Sequence, residues 1–479
     1  MAAVVVIGAG VGGLSAAARL AAAGHRVSVF EQAETVGGKL GRHVRETGAG
    51  TFRFDTGPSL FTLPQVAAEL FASTGGGGLD LVPLDPIVRH HFPDGSTLDS
   101  AAGDAFAERI AAAFGAEAAA DWRRLWRRAG RVWAASWRHV LTAPVDNPLR
   151  MAGLAWRLRD LAAIAPGRSL RGLGRSQLRD PRLRMLLDRY ATYTGADPRR
   201  APAALLAIPF AELEYGGWYL RGGLRTLADE LLARCEELGV RVVTGAAVRS
   251  ITVTGSRAAG VVLADGTAVP ADVVVANADA LQVYRELLPR PRQARKLEAR
   301  SLGGFVLLLG LRGRTPGLAH HTVFFPRDYD AEFDAIFGTA PRPVPDPTIF
   351  VTSPDDPLVR PDGHEGWFVL VNAAPQGPVD WRAAGEDYAD RVLDVLAARG
   401  HDVRDRLLFR DVLTPADLER STFSPGGAIY GTASHGLLRP PNRAPLPGLF
   451  LVGGSVHPGG GLPLVMLSAK IVADLIGAG

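Results

Sequence analysis

The 479-residue chain contains a single cysteine, Cys235. One thiol excludes an internal disulfide framework, a cysteine-rich zinc site and a CxxC redox pair. Any redox chemistry therefore belongs to a bound cofactor, and no metal site is expected. Lysine is also scarce, three against fifty arginines, a bias that a GC-rich genome explains and that carries no mechanistic weight. No apolar run reaches the about 18 to 20 residues that crossing a bilayer requires. The opening MAAVVVIGAG has no basic residue before its apolar stretch and is broken at once by glycine, so it does not read as a secretory signal, and a cytoplasmic address is expected. With 47% hydrophobic and 21% charged residues, extended disorder is excluded. The length suits two or three domains. Neither an internal repeat nor a coiled-coil heptad is visible.

What is present concentrates at the two ends. A β-branched run, Ala3 to Ile7, leads into Gly8-Ala9-Gly10-Val11-Gly12-Gly13 and then a helical stretch, and a second strand, Arg26 to Phe30, ends in Glu31 followed by Gln32. In such a strand, turn, helix and strand, Gly8 permits the tight turn, Gly10 lets the backbone approach a pyrophosphate, and Gly13 lets the helix pack against the sheet. Glu31 then accepts hydrogen bonds from ribose hydroxyls, and an acid there argues against a 2′-phosphate. A second glycine pair, Gly37-Gly38, precedes Lys39, whose charge suits a phosphate, and the segment Phe54 to Ser59 (FDTGPS) follows. At the other end a strand around Gly448 to Val452 runs into Gly453-Gly454-Ser455-Val456-His457-Pro458-Gly459-Gly460-Gly461 and a closing helix that starts near Leu462, Pro463 and Leu464. A glycine-rich turn that points a helix N-terminus at a ligand favours negative charge or a polarised carbonyl. Two such sites imply one extended cofactor gripped from both ends.

These segments resemble the FAD-dependent carotenoid desaturases, phytoene-desaturase-like members of the flavin amine oxidase superfamily. The likeness is carried by Gly8 to Glu31, GGKLGR at Gly37 to Arg42, FDTGPS, YATYTGADPRRAP at Tyr190 to Pro202, GGWYLRGGLRTLADEL at Gly216 to Leu231, and LFLVGGSVHPGGGLPLVMLSAK at Leu449 to Lys470. It implies FAD, held by Gly8, Gly10, Gly12, Gly13, Glu31 and Gln32 at its adenosine end. Gly38, Lys39, Gly57, Pro58 and Ser59 would lie along it and Val248 against adenine. Gly453, Gly454, Ser455, Gly461, Leu462, Pro463 and Leu464 would line the ribityl chain and ring. Lys39 stands where the family usually has arginine. The HPGGGLP form resembles enzymes that act late, on an already coloured carotenoid.

Short strands between Gly239 and Ala276, with an Asp265-Gly266 hairpin turn, read as a return to the cofactor domain. The expected architecture is α/β: a Rossmann-type FAD-binding domain in three parts (1–70, 216–280, 441–479) with an inserted mixed α+β substrate domain (71–215, 281–440). From Asp121 to Arg175 twelve arginines face three acids, and five of the eight tryptophans lie there. On a helical wheel Trp122, Leu125, Trp126, Ala129, Val132, Trp133, Trp137 and Val140 share one face and Arg123, Arg124, Arg127, Arg128, Arg131 and Arg138 the other. Such a helix, 122–140, is expected either to lie at an anionic membrane surface or to pack on its own domain, and an apolar substrate favours the membrane. No recognition motif for nucleic acid accompanies the arginines.

The resemblance implies desaturation of an apolar polyene by hydride transfer to flavin N5 with loss of a neighbouring proton, possible without a strong base. His457 is the one histidine in the flavin-side turn, placed to orient the ring or take a proton, or simply to bond backbone. Glu212, Glu214, Tyr190 and Tyr193 are further candidates, none expected to be essential. The reoxidant, quinone or O2, is left open. Alternatives are a carotenoid oxygenase or ketolase; a flavin amine oxidase, disfavoured because no Tyr or Trp follows Tyr430; and a non-enzymatic prenyl-binding escort protein, disfavoured by the intact glycine motif.

Overall fold

Alternation along Ala3–Ile7 decides the first layer. Val4 and Val6 enter one core cluster with Leu14 and Leu20 of the helix Val11–Ala22, whereas Val5 and Ile7 enter another with Val274, Leu449 and Ile251. A strand buried on both faces belongs in the middle of a covered parallel sheet. In the computed structural model, which describes residues 1–145, 163–433 and 439–479, it sits third of five. The order is Leu449–Leu451, Val273–Ala276, Ala3–Ile7, Arg26–Phe30 and Arg241–Val243, all parallel. The helices Val11–Ala22 and Leu462–Ile476 cover one face, packed closely where Gly12 lacks a side chain against Val465. An antiparallel meander, Val248–Thr254, Arg257–Leu263 and Ala268–Pro270, covers the other. Its third strand, beyond the Asp265-Gly266 turn, was not expected, being three residues long and ending in proline.

A second, seven-stranded sheet runs Leu407–Leu413, Gly303–Arg312, His364–Ala373, Ile349–Thr352, His321–Phe324, Arg89–His91, Thr97–Asp99, with one parallel pair, His321–Phe324 beside Arg89–His91. Gly303–Arg312 and His364–Ala373 pair over ten residues. Phe305, Leu307 and Leu309 pack with Trp367 and Trp381 on one side, and Val306 and Leu308 with Phe52 and Phe54 on the other. The α/β class with a Rossmann-type sheet and a mixed α+β body is what the sequence leads one to expect.

The helical wall of the second body corrects one expectation. In the helix Ala116–Ser136 and the single π turn Trp137–Leu141, the aromatic stripe is a packing face. Trp122, 3% exposed, meets Phe106 edge-on with ring centroids 5.1 Å apart, and Trp126 stacks on Phe210 at 4.8 Å. Trp133 lies between Trp137 and Tyr215, and its Nε1–H donates to Tyr215 Oη at 3.1 Å. Arg123, Arg124, Arg127, Arg131 and Arg138 are exposed, while Arg128 Nε bonds Ala163 O. The same periodicity serves a bilayer or a protein core, and here Phe106, Phe210 and Tyr215 claim it. Trp156 and the arginines at 150, 157 and 159 lie outside the described residues. Among the described residues no helix is long and apolar enough to cross a membrane.

Trp122→Ala should therefore destabilise the protein by about 3 to 5 kcal/mol, and Arg123→Ala by no more than about 0.5 kcal/mol, in denaturant unfolding. A stripe facing lipid would give a Trp122→Ala variant of unchanged stability.

Candidate functional site

Four of the five strands of the parallel sheet deliver a site residue at their carboxyl ends, the edge where such sheets bind ligands. Gly8 follows Ala3–Ile7, Glu31 follows Arg26–Phe30, Asn277 follows Val273–Ala276, and Gly453 lies just past Leu449–Leu451. Gly8 adopts φ +92°, and a Cβ on Gly13 would lie 2.0 Å from Gly8 O, so both must be glycine. Asn277, which the motif analysis did not single out, fills the centre. With its amide oxygen toward the loop, as the hydrogen-bond network requires, it accepts from Gly13 N at 3.2 Å and Gly10 N at 3.3 Å. The signal for it was a strand, VVVA, running straight into Asn277 and Asp279. Gly12 completes the junction of the two ends, because a Cβ there would be 3.2 Å from Gly453 Cα.

Glu31 is buried, its carboxylate accepting from Ala9 N at 2.6 Å and Ala33 N at 2.9 Å. A carboxylate has about four acceptor sites, so it retains capacity for a ribose hydroxyl. Gln32 is exposed beside it, and Val248 begins a strand two residues after Ala246, whose N–H donates to Glu31 O. The helices Val11–Ala22 and Leu462–Ile476 both start at this edge with glycine N-caps, Gly10 and Gly461, no capping side chain and no acid in the first turn. Two helix starts left uncapped and acid-free suit the phosphates and polarised ring carbonyls of a flavin nucleotide. A Cβ on Gly461, φ +99°, would enter open space, and Leu462, Pro463 and Leu464 form the first turn behind it. The residues present thus fit the cofactor.

Gly38 brings its backbone against Gly10, and Gly57 packs so tightly on Lys39 O that a Cβ would lie 1.9 Å away. Pro58 continues that loop. Ser59 turns to the second sheet: its carbonyl accepts from His321 Nε2 and its hydroxyl from Thr352 Oγ1. It lines a small cavity with Arg42, Asp55, Tyr219 and Phe368. Asp55 also caps the helix Thr226–Glu237 by accepting from Leu224 N and Arg225 N, and burial pushes its pKa up to about 6.

Lys39 does not stand free for a phosphate. Its ammonium donates to Ala428 O at 2.7 Å, Ile429 O at 2.8 Å and Ser424 Oγ at 3.2 Å, which occupies all three protons. Burial lowers its pKa from 10.5 to about 8, against the pull of Asp279. Asp279 pairs with Arg300 at 2.6 Å and caps the turn that begins at Ala280 by accepting from Leu281 N. Ser455 joins this cluster by accepting from Ala280 N at 3.0 Å. Arg439, brought down to about 10 by burial, donates to the carbonyls of Tyr430 and Gly454. Gly454 packs against Gly460.

His457 takes the backbone-bonding role. The ring is 2% exposed and its Nε2–H is shared between Val140 O and Ala143 O, both at 2.9 Å. That nitrogen is held as a donor between two carbonyls, so His457 clasps the π turn to the flavin-side turn and is a positioning residue. Glu212 is 1% exposed and accepts from Tyr190 Oη and Tyr193 Oη, both at 2.8 Å, while Glu214 is exposed.

Between pH about 8 and 10.5 the unfolded chain holds a proton at Lys39 that the folded chain has released, so this group makes stability rise with pH across that window. The stability of wild type minus that of Lys39→Met, from denaturant unfolding at several pH values, should climb over the same range. A flat difference would show the ammonium to be solvated.

The chain matches the model of the flavin containing amine oxidoreductase family over residues 11–477. It is 37% identical to a hydroxyneurosporene desaturase of Cereibacter sphaeroides, over 99% of this chain and 97% of that one. It is 34% identical to a 4,4'-diapolycopene oxygenase of a Methylomonas species (99% and 97%) and 33% identical to a 1-hydroxycarotenoid 3,4-desaturase of a Flavobacterium species (98% and 98%). Its fold resembles an oxidoreductase from Methanosarcina mazei, TM-score 0.66 at 18% identity over 98% of this chain and 100% of that one. It also resembles the cyclohexylamine oxidase of Brevibacterium oxydans, TM-score 0.61 at 16% identity over 99% of each. With its two glycine-capped helices meeting at one sheet edge, this chain belongs to the flavin-containing amine oxidoreductase family and is a flavin-dependent oxidoreductase.

Proposed function

We propose that this protein is an FAD-dependent desaturase that converts a carbon–carbon single bond of a carotenoid chain into a double bond, removing one hydride and one proton. The observation that carries this reading is full-length likeness to two enzymes named as carotenoid desaturases, at 37% and 33% identity, combined with an intact dinucleotide cradle. Bound FAD supplies the hydride acceptor at ring nitrogen N5. The chain's own part is to bind, align and exclude water. Gly8, Gly10 and Gly13 keep side chains out of the loop, so that the backbone at the start of the helix Val11–Ala22 can approach the pyrophosphate, and Glu31 faces the ribose. The helix Leu462–Ile476 and the Lys39, Arg300 and Arg439 cations give positive potential to an electron-rich ring. His457 fixes the turn beside it through Val140 and Ala143. Glu212 is held by two tyrosine hydroxyls, so no base is assigned and the proton lost from the substrate is released to solvent.

A second reading, oxygenation of a carotenoid end, is favoured by the 34% identity to the Methylomonas oxygenase. Expression in a host that makes several carotenoid intermediates, followed by mass analysis of its pigments, separates the two. Products lighter by multiples of two hydrogens support desaturation, and gain of oxygen supports the oxygenase. Gly13→Ala, which collides with Gly8 O, should abolish both conversion and FAD retention.

An apolar carotenoid substrate favours work at a membrane surface. With Trp122 and Trp133 buried and Trp126 stacked on Phe210, contact falls to the exposed arginines Arg123, Arg127, Arg131 and Arg138 and is electrostatic. Purified protein should co-sediment with anionic but not neutral vesicles, and binding should fall when salt rises from about 0.1 M to about 0.5 M. Salt-resistant binding to neutral vesicles would show an apolar anchor instead.

A further inference from the structure

The closing helix Leu462–Ile476 is apolar along its buried face except at Ser468, which is fully buried. A serine inside a helix usually turns its hydroxyl back to a carbonyl of the preceding turn. Ser468 spends it outside the helix instead. Its Oγ donates to His457 O at 2.8 Å and accepts from Gly453 N at 3.3 Å and Asn442 Nδ2 at 2.9 Å. Those three bonds use the one proton and both lone pairs of a hydroxyl. The Asn442 amide nitrogen is also 2.8 Å from His457 O and 3.1 Å from Leu451 O, so its two protons are shared among three acceptors. Asn442 is 2% exposed, and its Oδ1 is buried with no partner among the described residues. An acceptor left unpaired in the interior is costly, so the nitrogen of the same amide must hold something that matters.

What it holds is the flavin-side turn. Gly453 opens that turn and His457 stands at its middle. The His457 N–H goes to Pro440 O at 2.9 Å and its ring to Val140 O and Ala143 O, so with its carbonyl the residue is fixed at three points. Gly453 lies against Asn277, where a Cβ would be 2.7 Å from the side-chain amide that accepts from Gly10 N and Gly13 N. One polar chain therefore runs from the closing helix through Gly453 and Asn277 to the first glycine loop. Past His457, the N–H groups of Gly460 and Gly461 have no hydrogen-bond partner among the described residues, and Leu462, as the first helical residue, has none within its helix. Where those donors point depends on how Gly453 and His457 are held.

We infer that Ser468 and Asn442 are positioning residues for the flavin: they hold Gly453 and His457 so that the amides of Gly460, Gly461 and Leu462 face the ring. Donors fixed in that place favour the electron-rich reduced ring, so loosening them lowers its reduction potential. The inference needs a flavin at this sheet edge and is independent of which carotenoid reaction follows.

The test uses the purified, flavin-loaded protein without substrate, its two-electron reduction potential measured by equilibration with a reference dye. Ser468→Ala should lower the potential by about 30 mV, a tenfold change in the equilibrium constant, and Asn442→Leu should shift it the same way. Ser468→Thr, which keeps the hydroxyl, should restore the wild-type value. Tyr388→Phe, which loses only a bond to Val344 O in the second body, controls for lost stability and should leave the potential unchanged. A Ser468→Ala protein that melts lower but keeps the wild-type potential, or a Tyr388→Phe protein that shifts equally, overturns the inference and leaves the network a structural one. Should Ser468→Ala lose its flavin, Ser468→Cys, a weaker donor and acceptor of similar size, is read in its place: a smaller fall supports the inference, and no fall overturns it. Pigment analysis bears on the proposed function alone, so the two can fail separately.

Discussion

The space taken by one residue, Asn277, governs the cofactor end. A Cβ would lie 2.7 Å from the Asn277 backbone carbonyl oxygen at Gly8, 2.8 Å from its side-chain amide at Gly10, and 2.7 Å from that amide at both Gly12 and Gly453. Segments from opposite ends of the chain are therefore glycine for one shared reason, in addition to whatever a ligand asks of them. The amide in turn needs the loop, because Gly10 N and Gly13 N satisfy it. Glycine motif and asparagine define each other, and the parallel sheet exists at this edge to bring both to one place.

Around that junction charge is distributed unevenly. Lys39, Arg300 and Arg439 share one carboxylate, Asp279, and each is also bonded to carbonyl oxygens of the 424–454 region. Burying such an excess of cations is costly when nothing anionic is near, and the cost falls when an anion arrives. That arrangement suits an electron-rich flavin ring.

Much of this was legible in the sequence where the cause is local. The strand Ala3–Ile7, the turn glycines and Glu31 declare themselves within about thirty residues, because backbone sterics and strand alternation act over that range. The tryptophan helix was legible as amphipathic, but what its face meets was not: Phe210 and Tyr215 are far along the chain and leave no trace in the period. Lys39 was read from its neighbours as a phosphate ligand, whereas its partners Ala428 and Ile429 are almost four hundred residues away. Asn277 was overlooked for the same reason. It is ordinary in its own segment and acquires meaning only from what tertiary structure sets beside it.

The central sheet takes its strands from residues 3–30, 241–276 and 449–451. Parallel pairings between such distant segments are slow to form, since the intervening chain must be ordered before they are rewarded. A molecule in which Leu449–Leu451 has not yet docked beside Val273–Ala276 exposes an open sheet edge and lacks half of its cofactor grip. Because a ligand stabilises only the state that binds it, a bound flavin nucleotide would favour the docked arrangement of Leu449–Leu451 over the open one, so that cofactor affinity and closure of the sheet are one equilibrium.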